Sequence, residues 1–407
     1  MNQLVNLNNF RVRASGRLFS LLLVLVTILL SFLTTACDPS EAITAEQRTF
    51  LNLSLDFLGE YQLPKQKFKD TPVGGLSALT YDRQRDRFYA LSDDRSQFAP
   101  ARFYTLKLTL DPLLTEKMSL EKVEVEDVTF LTDKNGEPFA KGSLDPEGIA
   151  LSPKGTVFIS SEGSPNQGIA PFIEEFDLKT GQQKQSLRIP ERYLPNDPTK
   201  EDQPPRGIRE NLGFESLTLE LGSLAAAGGD PYRLFTATES ALFQDNLPPT
   251  SIEQTRIRLM HYLIGGFAPP TLVTEHVYLL DPLPDGATGN GLTDLATVDT
   301  GGHFLSLERS YGLLSGAGAK IFQLAVSAAT DTSGIPTLKG DLSRINIVQK
   351  KLLLDLSKLG IYLDNLEGMA LGPRLPDGTQ SLVLVSDDNF NDIQITQFLL
   401  FRLNRVR

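Results

Sequence analysis

Five stretches of this chain follow one pattern, and that repetition constrains the fold more than any bulk property. They are "GGLSALTYDRQRDRFYALSDDRS" from Gly74, "DPEGIALSPKGTVFISSEGS" from Asp145, "GFESLTLELG…YRLFTATES" from Gly213, "LTDLATVDTGGHFLSLERS" from Leu292, and "NLEGMALGPRLPDGTQSLVLVSDDN" from Asn365. Each opens with a strand of alternating small and apolar residues, turns, and runs into a second strand ending in Ser or Thr near an acid. The starts lie roughly 70 residues apart, room for four strands per repeat. Two further strand-like runs follow each of the first four, such as "ARFYTLKL" and "VEVEDVTFL" after the first. The fifth has only "ITQFLLFRL" before the chain ends, and "LNLSLDFLGEY" near residue 51 can supply its missing strand.

Four-stranded units arrayed radially and closed by pairing the two ends of the chain make an all-β fold, a β-propeller. The count gives five blades, or six if the irregular stretch 193–212 hides strands. A β-sandwich is the alternative, but it predicts Greek-key connections and no blade-like repetition. Lys351 to Leu359 could form a short helix, though the all-β reading fits the segment better.

The first 37 residues stand apart. Arg11, Arg13 and Arg17 precede an apolar run from Leu18 to Leu33, and "LTTAC" closes it at Cys37. A basic start, a short apolar run and small residues before a cut site describe a secretory leader. "TTAC" is similar to a bacterial lipobox, in which the cysteine is lipidated, although Thr34 stands where that motif has an aliphatic residue. The expectation is an exported envelope lipoprotein anchored through Cys37, facing the periplasm or the exterior, with ordinary secretion or a retained anchor as alternatives. Residues 38–50 read as a tether and 51–407 as the domain. Cys37 is the only cysteine, so no disulfide can staple the fold. Setting the three leader arginines aside leaves 36 basic against 50 acidic residues, a formal charge of −14. That argues against nucleic acid as a partner and is compatible with cations. The chain is expected to act as a monomer. It has no Trp, which excludes a tryptophan-lined sugar platform.

In a propeller the first strand of each blade lines the central channel and the second runs back beside it. The turn entering the first and the turn leaving the second therefore share one face, and the acids of every repeat fall in those turns. This predicts a ring of Asp93, Asp94, Glu147, Glu162, Glu215, Glu239, Asp294, Glu308, Glu367, Asp387 and Asp388. Carboxylates crowded at one mouth raise one another's pKa unless a cation sits among them. Oxygen ligands at this density suit Ca²⁺, and Asn211 and Asn389 could add amide oxygens. The metal ligands expected are Asp93, Asp94, Glu147, Glu215, Asp294, Glu308, Glu367, Asp387 and Asp388. The lack of further cysteine and the scarcity of histidine argue against zinc. Any single acid could instead be a turn former whose carboxylate accepts backbone N–H bonds. No G-x-S-x-G elbow occurs, and "GLLSGAG" around Ser315 is only a Gly-rich loop. His261 and His276 fall in outer strands and His303 on the face opposite the acids, so a Ser-His-Asp triad is disfavoured.

The segments "GGLSALTYD", "FYALSDDRS", "DPEGIALSP", "SSEG", "RENLGFESLTL", "LSLERSYG", "NLEGMALGP" and "SDDNF" together resemble the bacterial phytase-like, or "esterase-like activity of phytase", domain family over about residues 74–403. The resemblance implies an exported propeller with hydrolase activity on phosphate or other esters. By analogy it extends to calcium-dependent propeller phytases. On that reading Arg95, Arg209 and Arg309 clamp phosphate oxygens, and Glu162 or Glu239 acts as general base. The competing class is a non-catalytic binding or scaffold propeller, tethered at the envelope and holding some other ligand at the same rim.

Overall fold

The computed structural model describes residues 49–110, 120–196, 203–220, 230–248, 253–265 and 268–405. The leader, Cys37 and the tether up to residue 48 lie outside them. Almost everything described is strand or turn, arranged as five antiparallel four-stranded sheets. The first blade comprises β4 (Leu76–Asp82), β5 (Arg87–Ser92), β6 (Arg102–Leu110) and β7 (Leu120–Phe130). The second has β8 (Pro146–Leu151), β9 (Thr156–Ser161), β10 (Phe172–Asp177) and β11 (Gln183–Ser186), and the third β12 (Phe214–Glu220), β13 (Tyr232–Thr238), β14 (Arg256–Ile264) and β15 (Thr271–Leu279). The fourth has β16 (Gly289–Thr297), β17 (His303–Gly312), β18 (Gly316–Ala325) and β19 (Gln349–Asp355). The fifth joins β20 (Asn365–Arg374), β21 (Gln380–Asp387) and β22 (Thr396–Arg405) to β1 (Leu53–Leu63), from the other end of the domain.

The innermost strands β4, β8, β12, β16 and β20 each contact the next around the ring, and β20 returns to β4. The fold is thus a five-bladed β-propeller, and among the described residues 193–212 holds no strand. β1 pairs with β22 from Leu53 opposite Arg405 to Leu63 opposite Thr396, which closes the fifth blade. A short hairpin, β2 (Gln66–Phe68) with β3 (Thr71–Val73), links β1 to the first blade. The 351–359 window continues β19 and ends in a 3-10 turn, Leu356–Leu359.

Blade-on-blade packing explains why the middle strands read as unbroken apolar runs. Each blade has a neighbour on both faces, so both sets of alternating side chains must be apolar. In "LVLV", Leu382 and Leu384 join the core against the fourth blade while Val383 and Val385 join the core against the first. Phe88 and Ala90 likewise face the fifth blade, and Tyr89 and Leu91 the second. Five such inter-blade cores encircle the channel. The channel wall turns apolar toward the face opposite the acids. There, a cavity of about 770 Å³ is lined by Ile149, Leu217, Leu295 and Met369, with Asp82, Lys154 and Glu220 at its edge. His303 stands at that far face, hydrogen-bonded to Asp299, and His261 and His276 lie in outer strands β14 and β15.

Candidate functional site: a carboxylate-lined mouth

Strand register defines the mouth. In all five blades the inner strand carries a bulge at the same place, where the inserted residue is Ser77, Glu147, Glu215, Thr293 or Glu367. Just before each bulge, Leu76 pairs with Ser92, Pro146 with Ser161, Phe214 with Thr238, Leu292 with Glu308 and Leu366 with Ser386. The residues that follow the second-strand partners are therefore equivalent: Asp93, Glu162, Glu239, Arg309 and Asp387. A bulge turns its extra side chain out of the ladder and toward the axis. One place earlier stand Gly75, Asp145, Gly213, Gly291 and Asn365. Glycine there makes room: a Cβ on Gly291 would sit 2.1 Å from Glu239 Oε1, and one on Gly75 at the same distance from Asp93 Oδ1.

These places hold eight carboxylates: Asp93, Asp145, Glu147, Glu162, Glu215, Glu239, Glu367 and Asp387. Two guanidiniums are bonded into them. Arg309 bridges Glu239 at 2.9 Å and Glu367 at 2.6 Å and also bonds Asn365. Arg95 donates to Asp145 at 2.6 Å and to Asn211 at 2.9 Å. Burial, and then mutual repulsion, pushes the Glu147, Glu162, Glu215, Asp93 and Asp387 carboxyls well above the usual range. Glu367 is raised by burial against the pull of Arg309. Asp145 is raised by burial to about 6, with Arg95 opposing.

Two triads fit a cation. Oxygen atoms of Asp145, Glu147 and Glu162 lie within 4.8 Å of one another, as do those of Glu162, Glu215 and Glu239. Oxygens bound at 2.3–2.6 Å around one Ca²⁺ are separated by distances of that order. Glu162 belongs to both triads and also accepts the Gly213 N–H at 2.6 Å. Asp93 Oδ1 is buried with no hydrogen-bond partner, a further donor atom available to a cation or ligand.

Four expected ligands are committed elsewhere. Asp94 forms a fully buried ion pair with Arg102 at 2.7 Å and accepts the N–H groups of Gln97, Phe98 and Ala99. Asp388 accepts the N–H groups of Gly75 and Phe390, tying the fifth blade to the first. Asp294, one residue past its bulge, accepts the Leu295 N–H and reaches across to that of Met369 on the next inner strand. Glu308 occupies the Ser/Thr place of its repeat and turns away from the channel, bonding Tyr278, Lys350 at 2.6 Å and the Asp281 N–H. Arg209 donates to Ala241 O and Ser240 Oγ rather than to a carboxylate. Asp145 was not among the expected site residues. The register that makes it equivalent to Asn365 was the signal, and aligning the repeats on their second-strand ends would have found it.

A family model described as "Phytase-like: Esterase-like activity of phytase" matches residues 71–390. No curated protein matches the chain. Among solved structures, an endo-arabinase from Bacteroides thetaiotaomicron is 11% identical with a TM-score of 0.39, covering 82% of this chain and 95% of its own. The catalytic domain of a Coprinopsis cinerea GH62 α-L-arabinofuranosidase is 10% identical with a TM-score of 0.36, covering 87% and 98%. A glucose dehydrogenase is 13% identical with a TM-score of 0.34, covering 87% and 100%.

Proposed function

The chain belongs to the phytase-like family, and on that premise we propose that its carboxylate mouth is a calcium-dependent hydrolytic site for phosphate or other esters. The observation that carries this is the pair of triads sharing Glu162, set in a mouth of eight carboxylates and two guanidiniums. An excess of buried negative charge on that scale requires cations or protons. Bound Ca²⁺ would supply a positive field for an anionic substrate and acidify a nearby water.

The chain's own groups divide the remaining work. Asp145, Glu147, Glu162, Glu215 and Glu239 would hold the metal. Arg309 is fixed from two sides by Glu239 and Glu367, and its buried Nε–H has no partner. It would orient an ester oxygen brought to the axis. Arg95, about one-third exposed at the rim, would clamp a second oxygen. Glu162 sits at the junction of the triads and is better placed as a bridging ligand than as a free base. Glu239 is tied to Arg309 at 2.9 Å, so it too is better placed as a ligand than as a free base. The protein would reach this role as an exported, lipid-anchored monomer, consistent with the leader and lipobox-like end of the sequence.

Thermal unfolding of the chelated protein, titrated with Ca²⁺ against a Mg²⁺ control, tests the reading. Saturation at about 100 times the dissociation constant should add roughly 2.7 kcal/mol if only the folded state binds. Glu162→Gln should remove the Ca²⁺ response and lower ester turnover by at least about a hundredfold. No Ca²⁺-selective shift sinks the metal site. A shift without turnover of any phosphate or acyl ester favours a binding or scaffold propeller.

A further inference from the structure

Two of the five repeats carry a second device beside the mouth. "LSDDRSQF" ends at Phe98 and "VSDDNF" at Phe390. In both, the first aspartate of the pair, Asp93 or Asp387, turns into the mouth. The second holds the phenylalanine's own backbone: Phe98 N–H donates to Asp94 Oδ1 and Phe390 N–H to Asp388 Oδ1, each at 3.1 Å. The two rings meet at a centroid distance of 4.7 Å and a 38° tilt. Arg102 lies 5.9 Å from the Phe390 centroid, and it is fixed in turn by Asp94, Tyr104 and Pro72 O.

Phe390 is held with φ at +50° and Asn389 with φ at +47°, a conformation that is costly for a bulky residue and that surrounding contacts must impose. Its ring edge and the unpartnered Asp93 Oδ1 both press on Gly75, where a Cβ would stand only 2.5 Å and 2.1 Å from them. Phe98 nevertheless leaves 62% of its surface open. A pre-set aromatic face that shares the space over Gly75 with an orphaned carboxylate is a built feature, and the core does not need it.

We propose that the Phe98–Phe390 pair is the subsite for a flat, apolar organic group of an ester whose acid portion sits among the mouth carboxylates. This rests on the hydrolytic reading above. An occupant that spans the ring pair and the mouth is a small aryl ester: its ring stacks on Phe98 while its acid group meets the cation and the Arg95 guanidinium at the rim. The pair therefore sets preference for aryl over small alkyl groups and leaves the hydrolytic step itself to the mouth.

The test is calorimetric binding of phenylphosphonate and methylphosphonate, which cannot be hydrolysed, to the Ca²⁺-saturated full-length protein in detergent. Phenylphosphonate should bind about tenfold more tightly. Phe98→Ala should abolish that preference with methylphosphonate binding unchanged within about twofold, and Phe98→Tyr should retain it. If both ligands bind and Phe98→Ala leaves their ratio intact, the subsite is wrong and the mouth reading stands. If neither binds to the wild-type protein, the reading of the mouth falls and the subsite falls with it.

Discussion

The second and fourth blades share one register and bring opposite charges to the axis. The second contributes three acids, Asp145, Glu147 and Glu162. At the equivalent places the fourth has Gly291, Thr293 and Arg309, and its own acid, Glu308, is turned outward onto Lys350. A backbone repeated five times has thus been made electrostatically lopsided, and Arg309 is the one base among five equivalent places that otherwise hold Asp93, Glu162, Glu239 and Asp387. The lesson is that a near-symmetric fold acquires direction cheaply: one side of the mouth suits a cation, and the other offers a guanidinium to an anion.

The contrast can be broken by removing its positive side. Arg309→Met leaves Glu239 and Glu367 buried without their partner and should cost about 3–5 kcal/mol near pH 8 in chelator. Denaturant unfolding would show this, and a loss below about 1 kcal/mol would mean that the ion pairs are not what holds this side. Acid titration of the chelated wild type should give the next largest effect. Carboxyls whose folded pKa is raised favour the folded state fully below their ordinary pKa, and that contribution is lost as pH rises through the folded value. Asp145, at about 6 against an ordinary 3.8, contributes on the order of 3 kcal/mol between pH 4 and 6. The metal-free protein should therefore become more stable as pH falls from 7 toward 5, and Ca²⁺ should flatten the slope. A metal-free stability that rises with pH over this window contradicts the electrostatic account.

Glu147→Gln sharpens the acidic side alone. It removes one member of the crowded triad, so Ca²⁺ affinity should fall about tenfold while the chelated form gains about 1 kcal/mol from relieved repulsion. A matched fall in both quantities would mark Glu147 as structural. The smallest effect is expected at Lys320→Ala, which removes a partly exposed pair with Asp281 in the same blade as Arg309. It should change stability by no more than about 1 kcal/mol, so a larger loss would show that exposure does not separate the two ion pairs.

The blades were legible in sequence because strands packed on both faces must read as continuous apolar runs, and because a repeat missing one strand stood opposite a spare strand at the other end. The β2–β3 hairpin was not. Its strands are three residues long, carry no clear alternation, and are joined at Lys69–Asp70, where both residues take positive φ. The site was half legible. Acids in the right turns were visible, but adjacent residues of an extended chain point opposite ways, so Asp93 and Asp94 look alike in sequence and do unlike things. Register shows that in the fourth repeat Glu308 holds the place the other repeats give to a hydroxyl and Arg309 the place they give to an acid, a one-residue offset that the run "LERS" does not reveal by itself.

Closure by β1 also has a consequence for how the molecule is made. Ser54 and Asn404, which share a hydrogen bond across that closure, are 350 positions apart. At about 5–20 residues per second, β1 is synthesised some tens of seconds before β22 exists to receive it. Through that interval the nascent chain carries an unsatisfied strand edge, open to pairing with other chains. Only when β22 has been made can that edge be covered, so the ring closes as a last event that joins the earliest and latest strands of the domain.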